Sequence, residues 1–322
     1  MQTPIQRMDM IIKRLLDFSP RQGKNEIKAY QYLVSLLNTH TVPHTVQEFQ
    51  TTIPTYHEVS LQADEIDIPC RGCGLESGTI TRADQLISSL FDYDDDIYFP
   101  SNINFNPRNG TTISTPLLYK HTTIAICARD VDKIINATNI QGKIVVKPYT
   151  FTSHNILVGN TTNPSVLAIT HYDGLDGGAV DNASGVSVLM DILLHEKHIL
   201  DNSLFVFAGN EELSYNMPLY WGNGYREFQK KYNNLFMSVK RIVAIDSVGY
   251  EKPMVNTDLH RIQNAFPFDN VDQLASKMAH ICCSFSGMMS FYHSEADKID
   301  LVKPEFLELA KNLTTQQIIG LT

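Results

Sequence analysis

The sequence has no excess of basic residues, no long apolar run and no even set of cysteines, and each absence removes a class of function. Against 35 Asp and Glu stand only 26 Lys and Arg, a net charge of −9 over 322 residues. Nucleic-acid phosphates are bound through a basic face, so no nucleic-acid partner is expected. Nowhere do about 18 apolar residues follow one another, so neither a membrane-spanning helix nor a membrane partner is expected. The amino terminus mixes its apolar residues with Arg7, Lys13 and Arg14. That reads as an amphipathic helix and not as the unbroken apolar core of a signal peptide, which points to the cytoplasm. Five cysteines make an odd count that does not suit a disulfide framework. Cys70-Arg-Gly-Cys73 has the spacing of a metal knuckle, but no second pair completes a four-ligand site, and incidental thiols near a turn are expected. The vicinal Cys282-Cys283 reads as small buried residues. There is no internal repeat and no low-complexity tract.

What is present is ordinary for a globular protein: 43% apolar and 19% charged residues, in a chain long enough for one large α/β domain or a domain with an insertion. Apolar positions at helical spacing predict helices over residues 5–17 and 25–37, broken by Ser19-Pro20-Arg21-Gln22-Gly23, with a strand over 42–53. Between 59 and 150 the runs become short, β-branched and interrupted: 59–61, 78–80, 111–114, 123–128 and 142–146. These predict a small β-rich module. Its acidic cluster, Asp92, Asp94, Asp95 and Asp96, fits no EF-hand spacing and reads as a solvated loop. From His154 onward three continuous apolar runs, 166–170, 204–208 and 242–245, predict strands covered on both faces, as in a parallel sheet flanked by helices. Helices are expected over 186–194, 225–232 and 304–319.

Each of those three runs ends at ionisable residues. The first reaches His171 and Asp173, the second Glu211-Glu212, and the third Asp246. In parallel α/β sheets ligands bind beyond the carboxyl ends of the strands, where such residues converge. Asp181, just before a helix, adds another carboxylate, which the helix amino terminus would keep ionised. Neutral imidazole plus carboxylate is the ligand chemistry of zinc and related divalent metals. His293 is a further candidate ligand. His195 and His198 read as a solvent-facing pair at a helix end.

The order His171-x-Asp173, Gly178-Ala179-x-Asp181-Asn182-Ala183-Ser184-Gly185, Glu211-Glu212, Asp246, Tyr292-His293-x-x-x-Asp297 resembles the co-catalytic di-zinc aminopeptidases, with their glutaminyl cyclase and transferrin-receptor-like relatives. The resemblance is strong over 154–300 and weak over 15–55. It implies a three-layer α/β/α zinc-exopeptidase-like sandwich with a mostly parallel central sheet. The catalytic domain would comprise 1–58 and 151–322, with 59–150 an inserted β-rich lid module like a protease-associated domain.

The same resemblance implies the roles. His171 and Asp246 would hold one zinc, Glu212 and His293 the other, and Asp181 would bridge them; cobalt and manganese also suit the ligand set. Asp173 would fix the tautomer of His171. Glu211 would be the general base acting on a water shared by the two metals, and Tyr292 would either hydrogen-bond the oxyanion or simply pack. The expected activity is removal of amino-terminal residues from peptides with a free N-terminus. The alternatives are a glutaminyl cyclase, a carboxypeptidase for acidic C-termini or acidic dipeptides, or a non-enzymatic binding homologue. Asp269 loosely resembles an aspartate that the family keeps before its last ligand.

Overall fold

The computed structural model describes residues 2–89, 101–116, 118 and 120–320. Two compact units divide the chain: Met1–Thr51 with Phe151–Ser284 and Asp297–Thr322, and Thr52–Thr150 with Phe285–Ala296. The acidic cluster at Asp92–Asp96 lies outside the described residues.

The first unit is built on a sheet whose order is Met254–Asn256, Met278–Cys282, Arg241–Ile245, Val166–His171, Ser203–Ala208, then the Phe151–Gly159 and His44–Thr51 portions of two longer strands. The four central strands run parallel, while Met254–Asn256 and Ile140–Gly159 pair antiparallel. Because side chains alternate along a strand, each central strand feeds two cores. Val166, Ala168, Phe205, Phe207, Val243 and Ile245 face the helices Pro4–Leu16, Lys24–Thr39, Gly185–His195 and Pro304–Ile319. Leu167, Ile169, Leu204, Val206, Ile242 and Ala244 face Asn223–Ser238 and the short helices Leu259–Ala265 and Val271–Leu274. That is the three-layer sandwich, and the absence of a polar face explains why the strands read as unbroken apolar runs.

The predicted helices are all found, with ends shifted by a few residues. The first begins with a capping box in which Gln6 N donates to Thr3 Oγ1 at 3.3 Å and Thr3 N donates to Gln6 Oε1 at 2.9 Å, with Pro4 in the first turn. The strand Met278–Cys282 is not among the sequence expectations. His280 sits in its middle, where burial lowers its pKa to about 4 and keeps the ring neutral, so a polar residue interrupts an otherwise apolar run.

One buried charge cluster ties three helices of this unit. Asp191 is fully buried and accepts from Arg7 Nε at 2.6 Å and Lys311 Nζ at 2.8 Å. His195 rests against the same residue, its ring nitrogen 2.9 Å from the Asp191 carbonyl oxygen. Asp191→Ala removes the shared acceptor and leaves two cations without it, so unfolding in urea is expected to show a loss of about 3 kcal/mol.

The second unit holds a four-stranded sheet in the order Cys70–Gly72, Thr122–Ile126, Ser101–Phe105, Leu86–Ser88, over a core that includes Leu61, Ile80, Ile103, Ile124, Ile126 and Ile144. Residues 111–114, expected as a β-run, form no regular strand: Thr111 and Thr112 lie in a bend, and only Ser114 pairs, in an isolated antiparallel bridge with Ser294. Asn109 Oδ1 accepts from the amides of Thr111 and Thr112 at 3.2 and 3.0 Å, a local bond that competes with strand pairing.

Candidate metal centre

Parallel pairing sets Ala208 opposite His171, so the strand ends in the first unit present their following residues together. His171, Asp173, Asp181, Glu211, Glu212 and Asp246 all belong to this unit; Tyr292 and His293 belong to the second.

His171 is almost completely buried, with Nε2 3.3 Å from Asp181 Oδ1 and 3.6 Å from Asp246 Oδ1. His171, Asp181 and Asp246 can each offer one donor atom, and these lie within 4.8 Å of one another. A ring nitrogen carries at most one proton, so two carboxylate oxygens converging on it leave at least one approach that no proton serves. Burial pulls the imidazole pKa down, but Tyr225 and the carboxylates of Asp173, Asp181 and Asp246 outweigh it and hold it well above the ordinary value. The surroundings therefore favour positive charge at this point. A divalent ion between neutral imidazole and carboxylates supplies it, and the donor set fits zinc, cobalt or manganese.

Asp173 does more than face His171. Its Oδ1 lies 3.4 Å from His171 Nδ1, and the same oxygen accepts the Glu211 amide at 3.0 Å. Oδ2 accepts the Glu212 amide at 3.0 Å and Gln22 Nε2 at 3.1 Å. One carboxylate thus lies beside the histidine and pins the turn that carries the glutamate pair. Burial pushes the Glu211 carboxyl well above the usual range; His171 opposes that, while Glu212, Asp173 and Asp246 add to it.

Asp181 is placed from three sides. Asp297 accepts the amides of Val180 and Asp181 at 2.8 and 3.0 Å, and burial raises its own pKa to about 7. Asn182, joined to Asp181 by a cis peptide bond, donates to Thr170 Oγ1 at 3.0 Å and to the Ile245 carbonyl at 3.1 Å. Its Oδ1 accepts from Gly185 N at 3.1 Å and Ser247 N at 3.3 Å. This one amide links the end of the His171 strand, the start of the following helix and the residue after Asp246.

The third side is Arg21, from the break between the first two helices, where no sequence pattern marks it. It is fully buried, and its guanidinium donates to the carbonyls of Tyr172 at 2.8 Å, Gly178 at 2.9 Å and Asp173 at 3.2 Å. Gly178 has φ +69° and lies against it, since a Cβ there would fall 2.8 Å from Arg21 Nη2. Tyr225 is a second residue that sequence reasoning missed; it is fully buried, with its ring edge-on to His171 at 6.5 Å.

In the second unit, His293 Nδ1 lies 3.1 Å from the Thr115 carbonyl oxygen. A carbonyl only accepts, so the proton sits on Nδ1 and Nε2 carries the lone pair a metal would use. Tyr292 stacks on the His293 ring at 3.7 Å.

The remaining candidates lie elsewhere. Asp269 pairs through its backbone with Gln229, at 2.7 and 2.8 Å. Neither it, nor His195 and His198, nor any cysteine belongs to a metal-capable group among the described residues. Burial raises the Cys70 thiol to about 11 and Cys282 to about 12, which marks neither as a ready thiolate.

The structure is similar to that of BSAP, a zinc aminopeptidase from Bacillus subtilis, with 17% identity, a TM-score of 0.72, and coverage of 98% of this chain and 94% of that one. An aminopeptidase from Aneurinibacillus sp. strain AM-1 gives 16% identity and a TM-score of 0.66, covering 98% and 93%. An Acidobacteriales bacterium glutaminyl cyclase gives 12% and 0.54, covering 100% and 95%. At such identities the likeness establishes the zinc-exopeptidase-like fold. No curated protein matches the sequence. The sequence itself is similar to one family model, that of peptidase family M28, over residues 154–282, the stretch that carries His171 through Asp246.

Proposed function

We propose that this protein is a metal-dependent aminopeptidase that removes amino-terminal residues from peptides. The observation that carries the reading is the convergence of His171, Asp181 and Asp246 beside a glutamate pair pinned by Asp173. The M28 match and the aminopeptidase fold support it. His171 and Asp246 would hold one divalent ion, Glu212 and His293 a second, with Asp181 shared. Bound there, such ions would lower the pKa of a bound water and polarise the scissile carbonyl. Glu211, next to a ligand but assigned to neither metal, takes the proton from the attacking water and passes it to the leaving amine. Asp173 keeps the His171 tautomer and the Glu211 backbone fixed while this happens. Tyr292 is assigned to donate to the oxyanion, with its stack on His293 setting the ring direction.

The test combines metal analysis with a panel of N-free and N-blocked aminoacyl anilides. About two zinc ions per chain are expected, together with turnover of the N-free substrates only. Chelation should abolish turnover, and added zinc should restore it. Hydrolysis by metal-free protein would overturn the reading. Ammonia release from N-terminal glutamine peptides would assign the site to cyclisation, and cleavage of N-blocked acidic dipeptides to a carboxypeptidase.

A further inference from the structure

The inserted stretch Thr52–Thr150 forms one compact unit with Phe285–Ala296, the segment that carries Tyr292 and His293, although the two lie far apart in sequence. His293 stands in a backbone conformation that residues other than glycine seldom take, with φ +47°. Such a conformation persists only where its surroundings over-determine it. Here residues 106–115 supply those surroundings. Ser114 Oγ donates to the Tyr292 carbonyl at 2.5 Å. Thr115 N donates to the His293 carbonyl at 3.0 Å, and the His293 ring returns a bond from Nδ1 to the Thr115 carbonyl at 3.1 Å. Asn109 Nδ2 donates to Ser294 Oγ at 3.1 Å, and that hydroxyl donates to the Phe291 carbonyl at 2.6 Å. The main chain on both sides of residue 293, and its ring, are thus held by one loop.

That loop is itself fixed. Asn106 Oδ1 accepts the Arg108 amide at 3.0 Å, while Nδ2 donates to Ser114 Oγ at 3.1 Å and to the Met289 carbonyl at 2.7 Å. The Ser114 oxygen therefore takes one bond from Asn106 and gives one to Tyr292, which sets its direction. Asn106, Asn109, Ser114 and Ser294 are at most 2% exposed, so little water competes for these bonds. Burying amides and hydroxyls is unfavourable unless they are hydrogen-bonded. Turn chemistry explains the bonds from Thr111 and Thr112 to Asn109. It does not explain why Asn106, Asn109 and Ser114 each reach across to the 285–296 segment.

We propose that Asn106, Asn109 and Ser114 are positioning residues that fix the backbone and ring of His293 for metal binding, so that the inserted module serves as the mount of a ligand. This rests on the assignment of His293 to the second ion. Groups that orient a ligating histidine contribute about 10- to 100-fold in metal affinity. The three residues act through His293 and its neighbours and touch no ion themselves.

Calorimetric titration of the metal-free protein with zinc, and absorption spectra of the cobalt-loaded protein, test the mount without recourse to turnover. The parent is expected to show two binding steps. Ser114→Ala, which removes a single oxygen, and Asn109→Ala are each expected to weaken one step by about 10- to 100-fold and to change the cobalt spectrum of that ion. The other step, assigned to His171 and Asp246, should stay as in the parent. Asn102→Ala is the structural control. Asn102 is as deeply buried, but its Nδ2 donates to Thr123 Oγ1 at 2.9 Å within the module's own sheet. It should lower the melting temperature and leave both zinc steps unchanged. If Ser114→Ala and Asn109→Ala keep both steps and the parental cobalt spectrum, the mount is overturned and the metal reading stands. An equal loss in Asn102→Ala also overturns it, because the effect is then one of stability alone. A parent that takes up only one ion overturns the second metal assigned to His293, and the mount with it. The expected metal pattern in a protein that cleaves no peptide keeps the mount and overturns the peptidase.

Discussion

Glu211→Gln is expected to lower kcat on aminoacyl anilides by about 10²- to 10⁴-fold while the protein keeps its metal. The amide of residue 211 donates to Asp173 whatever side chain it carries, so the turn stays in place and Glu212, the proposed ligand, with it. Glutamine matches the size of glutamate but cannot accept the proton of the attacking water. Stability should move the other way. The Glu211 carboxyl is buried beside Glu212, Asp173 and Asp246, which raise its pKa along with burial. A neutral amide removes that repulsion, and in metal-free protein the variant should melt no lower than its parent. Undiminished turnover would remove Glu211 from the mechanism. Loss of metal together with activity would recast it as a ligand.

Arg21→Met is expected to cost more than about 3 kcal/mol in unfolding free energy and to empty the metal site. Methionine fills much of the same space but leaves the carbonyls of Tyr172, Asp173 and Gly178 without their donor, and each buried acceptor left unsatisfied costs about 1–3 kcal/mol. The guanidinium is also the buried cation whose field reaches Asp173, Asp297, Glu212 and Asp181. Arg21→Lys keeps the charge but not the planar fork that serves several carbonyls together, so an intermediate loss is expected. Thermal melts and metal content measured on both variants test this. A methionine variant with full zinc and an unchanged melting temperature would show that the loop holds itself.

The residues that carry the site were legible for a specific reason. His171 ends, and Glu211-Glu212 and Asp246 follow, strands buried on both faces, and such strands announce themselves as apolar runs. Asp181 was visible because it stands before an apolar helix. What organises those residues was not. Arg21 acts on backbone carbonyls, which every residue has, so nothing in the sequence around it marks its partners. Asp173 was read as an orienting group for His171, but its bonds to the Glu211 and Glu212 amides span nearly forty positions and depend on the sheet placing two strand ends side by side. The strand Met278–Cys282 was hidden by His280, and the bend at Thr111–Thr112 by β-branched residues whose amides Asn109 engages. Sequence pattern reports what a residue is and which face it takes. It is silent on bonds to main chain far away.

The double engagement of Asp173 carries one more consequence. A loop that lacks its own regular hydrogen bonds normally fluctuates on its own, yet here the 171–181 loop and the 209–212 turn share a single buried acceptor. Neither can detach without stranding the other's amides or that carboxylate, so they form one cooperative opening unit. His171 and the glutamate pair, distant in the chain, are then expected to be exposed to solvent together or not at all.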